Sequence, residues 1–271
     1  MKTEDLLSSF PERVLPLRTG VRVAVRERGT PGEGLALVLL HGISSGAASW
    51  VPALPPGHVI AWDAPGYGLS TPLSQAAPAA ADYAQRLHET LVALDIRRCV
   101  LAGHSLGALM ACAYAARKER AGLQRVVLIS PARGYGDDPQ AAERVRRERT
   151  QALEAKGVAG IAAAIDQRLV SADASDDARA WVRWNAARLD PQGYLQAVQM
   201  LANSTLATVP AGIPMEVHCG EADVVTPPAA CEQAARALGA SFRTIANAGH
   251  ASHAEQPQAV AELLRAAVTG S

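Results

Sequence analysis

The chain has 271 residues, of which 49% are hydrophobic and 19% charged, so it can form one α/β domain with a full buried core and is too apolar to be disordered. Its 26 Lys and Arg residues balance 26 Asp and Glu residues, which gives a formal net charge of zero. Because there is no basic surplus to neutralise a nucleic-acid backbone or an anionic membrane, we expect neither partner.

The first residues, MKTEDLLSSFPERV, lack the basic segment and the long apolar segment of a secretory signal. We therefore expect a cytoplasmic protein. A membrane-spanning helix needs about 18 consecutive apolar residues, whereas the apolar run LALVLL ends at His41 and Gly42. The sequence thus predicts no membrane span.

Short apolar runs alternate with helical patterns along the chain. The runs predicted as strands are 21–28, 36–40, 58–62, 99–103, 125–130, 215–220 and 241–246. Among the helical patterns, 81–96 places four side chains from Tyr83 to Leu94 on one stripe, and 105–118 is small and apolar almost throughout. The alternation predicts an α/β fold, with a mostly parallel central sheet and helices on both faces.

This alternation stops after Ser130, and the next strand pattern begins near Met215. Between them the sequence is helical and rich in Ala and Arg. Three residues that commonly interrupt helices divide it: Gly157, Asp173 and Pro191. We interpret 133–208 as a helical lid inserted into a core domain formed by 1–132 and 209–271.

The pattern G-x-S-x-G occurs at 103–107 as GHSLG, directly after a predicted strand and at the start of a predicted helix. In this context the serine lies on a tight strand-to-helix turn, where the glycines relieve backbone crowding and the helix N-terminus favours developing negative charge. Ser105 is therefore the candidate nucleophile.

A serine hydroxyl needs a base, and the base needs an orienting acid. The loop AGHASHAEQP after the last predicted strand offers two histidines. We favour His250 as the base and interpret His253 as a first-turn helix residue. The loop GEADVVTPP offers the acid, and we favour Asp223 over Glu221 because its shorter side chain, in a turn, suits the fixing of one imidazole tautomer. The alternative is that Asp223 has only a structural role, in which its side chain caps the turn.

The oxyanion of acyl transfer requires two fixed donors. The first is the backbone N–H of Leu106, given by the turn itself. For the second we favour the N–H of Ile43, followed by Ser44, because Gly42 lets this loop approach the serine closely. His41 is more consistent with organising the loop than with catalysis.

The cysteines show no C-x-x-C spacing and lie in apolar strand or Ala-rich helix patterns: Cys99, Cys112, Cys219 and Cys231. We expect buried free thiols rather than a zinc site or a disulfide framework. We expect neither a metal nor a cofactor.

From about residue 20 to its C-terminus the chain resembles the α/β-hydrolase superfamily. The family order of nucleophile, acid and histidine is matched by Ser105, Asp223 and His250, and its H-G oxyanion turn by His41-Gly42. The segment DAPGYGLS at 63–70 is similar to a structural turn after the family's fourth strand.

Two further segments are similar to cytosolic enol-lactone and ester hydrolases of aromatic-acid catabolism, namely DPQGY at 190–194 and GHASHAEQP at 249–257. Carbon-carbon hydrolases of ring-cleavage products usually carry N-S-F or N-S-M where this chain has His104-Ser105-Leu106. The resemblance therefore implies a serine hydrolase of small acyl substrates, an ester or a lactone. Two alternatives are a carbon-carbon bond hydrolase of ring-cleavage diketones and a non-catalytic ligand-binding member of the fold.

The predicted lid is rich in arginine. Most of these side chains are expected on solvated faces or in the lid core, and one or two are expected to bind a substrate carboxylate. The sequence does not choose among Arg133, Arg146, Arg147, Arg149, Arg168, Arg179, Arg183 and Arg188. Trp181 and Trp184 are expected in the lid core. Substrate-binding residues and oligomeric state stay open at this stage.

Overall fold

The computed structural model describes residues 3–17, 20–32 and 34–270. Within them one sheet contains β1 (Glu12–Pro16), β2 (Arg22–Arg28), β3 (Ala36–Leu40), β4 (Val59–Trp62), β5 (Arg98–His104), β6 (Gly122–Ile129), β7 (Met215–Gly220) and β8 (Ser241–Ile245). The order across the sheet is β1-β2-β4-β3-β5-β6-β7-β8. Neighbouring strands from β4 to β8 run parallel, so the predicted mostly parallel sheet is confirmed.

Seven of these strands were predicted from the sequence, and the edge strand β1 was not. This strand pairs antiparallel with β2, which in turn pairs antiparallel with β4. Most residues of β1 are exposed, so no alternation of buried and exposed side chains marks it. Strand β2 covers only one side of it, and a polar sequence on such an edge also discourages pairing with other chains.

Helices cover both faces of the sheet. They are α1 (Thr3–Ser8), α2 (Ala80–Ala93), α3 (Leu106–Ala115), α4 (Pro139–Ala164), α5 (Asp166–Leu169), α6 (Asp176–Ala186), α7 (Pro191–Asn203), α8 (Pro228–Leu238), α9 (Ser252–Glu255) and α10 (Pro257–Thr269). A 3-10 helix at Ala47–Ala53 was not predicted. Helix α3 is buried almost throughout, as its small apolar sequence predicts, although it ends at Ala115 rather than residue 118.

The core divides into two main apolar clusters, one on each face of the sheet. Alternate side chains of β3 show the division, since Val38 and Leu40 belong to the cluster under α2 and α3, whereas Leu37 and Leu39 belong to the cluster under α10 and the 3-10 helix. A strand buried on both faces appears in sequence as an unbroken apolar run, which is why β3 was predicted with its observed bounds.

Helices α4 to α7 are inserted between β6 and β7. Gly157, with φ 61°, interrupts α4, and Pro191 begins α7, as the sequence predicted. The segment leaves and rejoins the rest of the chain at one place, where Gly134 and Thr205 form an isolated antiparallel bridge. The division at 132/133 and 208/209, and the role of this segment as a lid, stay predictions.

Two other features of the described residues bear on the sequence analysis. None of their helices combines the length and the apolar character that a bilayer crossing requires. The four cysteines are buried free thiols, as their apolar surroundings predicted.

Candidate active site

Ser105 lies on the turn between β5 and α3, with φ 51° and ψ −113°. This strained backbone depends on its flanking glycines, because a Cβ at Gly103 would lie 2.5 Å from the carbonyl oxygen of Gly107, and one at Gly107 would lie 2.3 Å from that of Leu40. The serine is largely buried but lines a cavity at the carboxyl edge of the sheet. The predicted strand-turn-helix arrangement is thus present.

His250, after β8, and Asp223, after β7, meet at the same edge of the sheet. His250 Nδ1 lies 2.9 Å from Asp223 Oδ2, and both side chains are buried. Since an ionised carboxylate only accepts hydrogen bonds, Nδ1–H is the donor and the lone pair of the ring is on Nε2. His250 and Ser105 line the same cavity, so this imidazole is available to a reaction at the serine.

The elbow and the histidine loop are also joined directly. His104 Nε2 donates to the backbone carbonyl of His250 over 2.9 Å. The residue that precedes the candidate nucleophile therefore fixes the backbone of the candidate base, a contact that the sequence analysis did not predict.

The Asp223 carboxylate is held mainly by its own turn. Oδ1 accepts from the backbone N–H groups of Val225 at 2.8 Å and Thr226 at 2.9 Å, and Oδ2 accepts from Thr226 Oγ1 at 2.9 Å. Burial alone would raise the pKa of Asp223, but the hydrogen bond from His250 and the backbone donor of Thr226 outweigh it, so this pKa lies below its usual value. The carboxyl group is thus ionised near neutral pH.

Glu221 and His253, the two residues that were not favoured as acid and base, have other contacts. Glu221 is exposed, and its carboxylate lies 3.4 Å from the backbone nitrogen of Asn247. His253 is in α9, as predicted, but it is buried against Trp50, with ring centroids 4.9 Å apart, and it lines the cavity. Burial lowers the pKa of His253 to about 3, so its ring is neutral.

The loop after β3 closely approaches the serine, as predicted. A Cβ at Gly42 would lie 3.2 Å from Ser105 Cβ and 3.0 Å from His104 Nδ1. His41 organises this loop, because its Nδ1 donates to the Gly42 carbonyl at 2.8 Å and its Nε2 accepts from the N–H of Ala64 at 3.1 Å. Burial lowers the pKa of His41 to about 4, which keeps the ring neutral for both contacts.

The two residues predicted to supply the oxyanion donors, Ile43 and Leu106, line a cavity together with Ser105. The Gly42 carbonyl accepts from His41 Nδ1, and because the peptide bond is trans, the N–H of Ile43 points the opposite way. This N–H has no hydrogen-bond partner among the described residues. Leu106 is the first residue of α3, where a helix leaves N–H groups without intrahelical acceptors. Their role as an oxyanion hole stays a prediction.

Ser105 lines two cavities that share part of their lining and that we name the inner and the outer lobe. The inner lobe lies beneath α5 and α6 and is bordered by Ile165, Leu169, Trp181 and Val182, together with His250 and His253. The outer lobe extends from the segment after β6 towards α8. Both lobes are lined by Ser105, Ile43 and Val225, and by two arginines of the insertion, Arg149 and Arg168. In the described part of the chain, no group of three or more His, Cys, Asp or Glu side chains could hold a metal ion.

Known proteins are similar to this chain over most of its length. A model of the alpha/beta hydrolase family matches residues 37–263. A 2-succinyl-6-hydroxy-2,4-cyclohexadiene-1-carboxylate synthase from Serratia proteamaculans is 29% identical over 245 residues, which cover 84% of this chain and 91% of that protein.

Solved structures are also similar to this chain over most of its length. A thermophilic esterase from Thermogutta terrifontis is 26% identical, with a TM-score of 0.80 over 95% of this chain and 99% of that one. The enol-lactonase from Burkholderia xenovorans has a TM-score of 0.79 over 95% and 100% of the two chains, and at 21% identity it shares the fold.

Proposed function

The chain belongs to the alpha/beta hydrolase family, and on that premise we propose that it is a serine hydrolase that cleaves a small carboxylic ester or lactone through an acyl-enzyme intermediate. The observation that carries the proposal is the 2.9 Å contact between His250 and Asp223 in the cavity that Ser105 lines. A buried, oriented imidazole beside a serine on a strained elbow is the arrangement that acyl transfer requires.

In the proposed reaction Ser105 Oγ attacks the acyl carbon while His250 Nε2 accepts its proton. The ionised Asp223 stabilises the imidazolium, and the N–H groups of Ile43 and Leu106 bind the oxyanion. The imidazolium then protonates the leaving alcohol or enol oxygen. A water molecule, deprotonated by the same imidazole, hydrolyses the acyl-enzyme and restores the serine.

Within this class the finer proposal is an enol-lactone formed in aromatic-acid breakdown. It is supported by the two segments that resemble such hydrolases, 190–194 and 249–257. Tyr194 of the first segment accepts a hydrogen bond from Arg149, which lines the cavity, and the second segment carries His250 and His253. Opening an enol-lactone needs the same triad, with the enol as the leaving group.

The test is a panel of 4-nitrophenyl esters, saturated lactones and muconate-derived enol-lactones. We expect turnover of at least one class, a loss on the order of 10⁴ in kcat for Ser105→Ala, and no loss for Ser74→Ala, whose serine is exposed and outside the cavity. Turnover that survives Ser105→Ala contradicts the proposal. Cleavage of ring-cleavage diketones alone would establish the carbon-carbon alternative, and binding without turnover would establish the non-catalytic one.

A further inference from the structure

The cavity around Ser105 is positively charged, although the whole chain has a formal net charge of zero. Among the described residues, the inner lobe is lined by Arg149 and Arg168 and by no Asp or Glu. The outer lobe adds Arg133 and Arg144 against Asp137 and Asp138. The neutral His253 adds no positive charge, so the charge beside the serine comes from the two arginines that both lobes share.

Other arginines of the insertion already have partners. Arg179 and Arg183 contact the Asp166 carboxylate at 3.7 and 2.7 Å. Arg146 donates to Gln199 and Asn203, and the Arg188 guanidinium lies 4.7 Å from the ring centroid of Trp184. These side chains contact other parts of the insertion, and none of them lines either lobe.

Arg149 and Arg168 differ from them. Among the described residues the Arg149 guanidinium has one hydrogen bond, to Tyr194 Oη at 3.3 Å, which orients it without compensating its charge. The Arg168 side chain has no hydrogen bond or ion pair with any described residue and is exposed. Two guanidinium groups without a carboxylate partner repel each other in one cleft, and an anion placed between them relieves this repulsion.

The backbone on both sides of Arg168 is held by contacts of its neighbours. Asp166, in the same short helix α5, is buried in its ion pair with Arg183. On the other side, the Leu169 carbonyl accepts from the N–H of Ala251 at 2.7 Å, next to His250. The backbone that carries Arg168 is therefore tied to the loop that carries the candidate base.

A single acid side chain makes a second tie between these segments. Glu255 accepts from the N–H of Gly249 at 2.7 Å with one oxygen, and from the N–H of Ser171 at 2.9 Å with the other. The backbone at Arg168 is thus held in a fixed relation to that of His250, which limits the positions that the Arg168 guanidinium can reach relative to the candidate base.

We propose that Arg149 and Arg168 form a carboxylate-binding subsite beside Ser105, so that the substrate is an ester or lactone with a free carboxylate away from the scissile carbonyl. Guanidinium groups suit this role because their fixed donors match the geometry of a carboxylate. The inference about a substrate rests on the proposed function, whereas the binding of a carboxylate at these arginines does not.

The kinetic test uses two esters that differ mainly in charge, the 4-nitrophenyl monoester of adipic acid and the 4-nitrophenyl ester of 6-methylheptanoic acid. We expect kcat/KM to be at least about tenfold higher for the adipate monoester, and this ratio to fall towards one in the Arg149→Gln/Arg168→Gln variant and at high salt. Arg147→Gln is the matched control, because Arg147 is an exposed residue of the same helix outside both lobes. Arg149→Lys and Arg168→Lys keep the positive charge, so these variants should retain part of the kcat/KM preference for the adipate monoester.

A binding measurement separates this inference from the proposed function. Calorimetry with adipate itself, on Ser105→Ala protein, should give binding that weakens about tenfold or more when both arginines are replaced by glutamine. If adipate binds in this way but no ester is cleaved, the proposed function fails and the subsite stands. If esters are cleaved with a ratio near one, or if the arginine variants bind adipate as well as their parent, the subsite is overturned.

Discussion

At the scale of single residues, Thr226 connects the two side chains on which the candidate base depends. Its hydroxyl donates to Asp223 Oδ2 and lies 3.2 Å from His250 Nδ1. The same oxygen of Asp223 therefore accepts hydrogen bonds from both Thr226 and His250. Because the carboxylate is oriented by its own turn before it meets the imidazole, it can fix one tautomer and the ring orientation with little freedom left to lose.

Exchanging the acids of this loop separates the two candidates. Asp223→Asn keeps the shape but removes the charge that stabilises the imidazolium, so we expect kcat/KM to fall by about three to four decades at neutral pH. Glu221→Gln should have a far smaller effect, since the exposed Glu221 carboxylate contacts the backbone nitrogen of Asn247 and not the candidate base. Steady-state kinetics of both variants decides the matter, and a larger loss for Glu221→Gln would mean that the acid is wrongly assigned.

Some of these residues could be predicted from sequence and others could not. Ser105, Asp223 and His250 each follow a strand of a parallel sheet, and the carboxyl ends of such strands meet at one edge. The hydroxyl of Thr226 was missed, although its place three residues after an acid in a turn is a usable signal. The choice of Arg149 and Arg168 could not be made, because it depends on which arginines line the cavity and which find partners elsewhere in the fold.

At the scale of elements, burial decided what the sequence could predict. Strand β3 was predicted with its observed bounds because its apolar run is buried on both faces. Strand β7 was also predicted with its observed bounds, although Glu216 and His218 interrupt its apolar residues. The exposed strand β1 lacks such a run. The 3-10 helix contains Pro52 and is buried on nearly all sides, so it shows neither the alternation of a strand nor the stripe of an amphipathic helix.

The inserted helices were predicted through their interruptions rather than through their packing. Gly157 interrupts a helix and Pro191 begins one. Both effects come from the residue itself, so they can be predicted from the sequence. How the helices pack on the sheet depends on contacts between distant residues, such as the hydrogen bond of 3.2 Å from Trp181 Nε1 to the Ser49 carbonyl. That contact places α6 over the inner lobe.

At the scale of the whole molecule, several imidazoles are buried in neutral form around the site. Burial is the main cause that lowers the pKa of His41 to about 4 and that of His253 to about 3, and it lowers the pKa of His104 well below its usual value. The unfolded chain binds protons at the ordinary pKa of 6.5 for these groups. Their contribution to stability is therefore complete above about pH 6.5 and is lost as the pH falls towards the folded-state values.

Urea unfolding at pH 7 and pH 4.5 measures this dependence. Each such histidine lowers the free energy of unfolding by up to about 1.4 kcal/mol per pH unit in this window. His253→Phe keeps an aromatic ring against Trp50 and removes an Nδ1 that has no hydrogen-bond partner in the described part of the chain. We expect its loss of stability between the two pH values to be smaller than that of the unmodified protein by about 2 kcal/mol. An equal loss in both proteins would show that His253 takes up its proton without unfolding.

Covalent labelling tests the central claim of a serine nucleophile most directly. A fluorophosphonate forms a stable adduct only with a serine that a base activates, and mass spectrometry of the digested protein locates the adduct. The account predicts one adduct, on Ser105, that is absent from Ser105→Ala and forms on the order of 10³-fold or more slowly in His250→Ala. An adduct on another serine, or equal labelling of the Ser105→Ala protein, would contradict it.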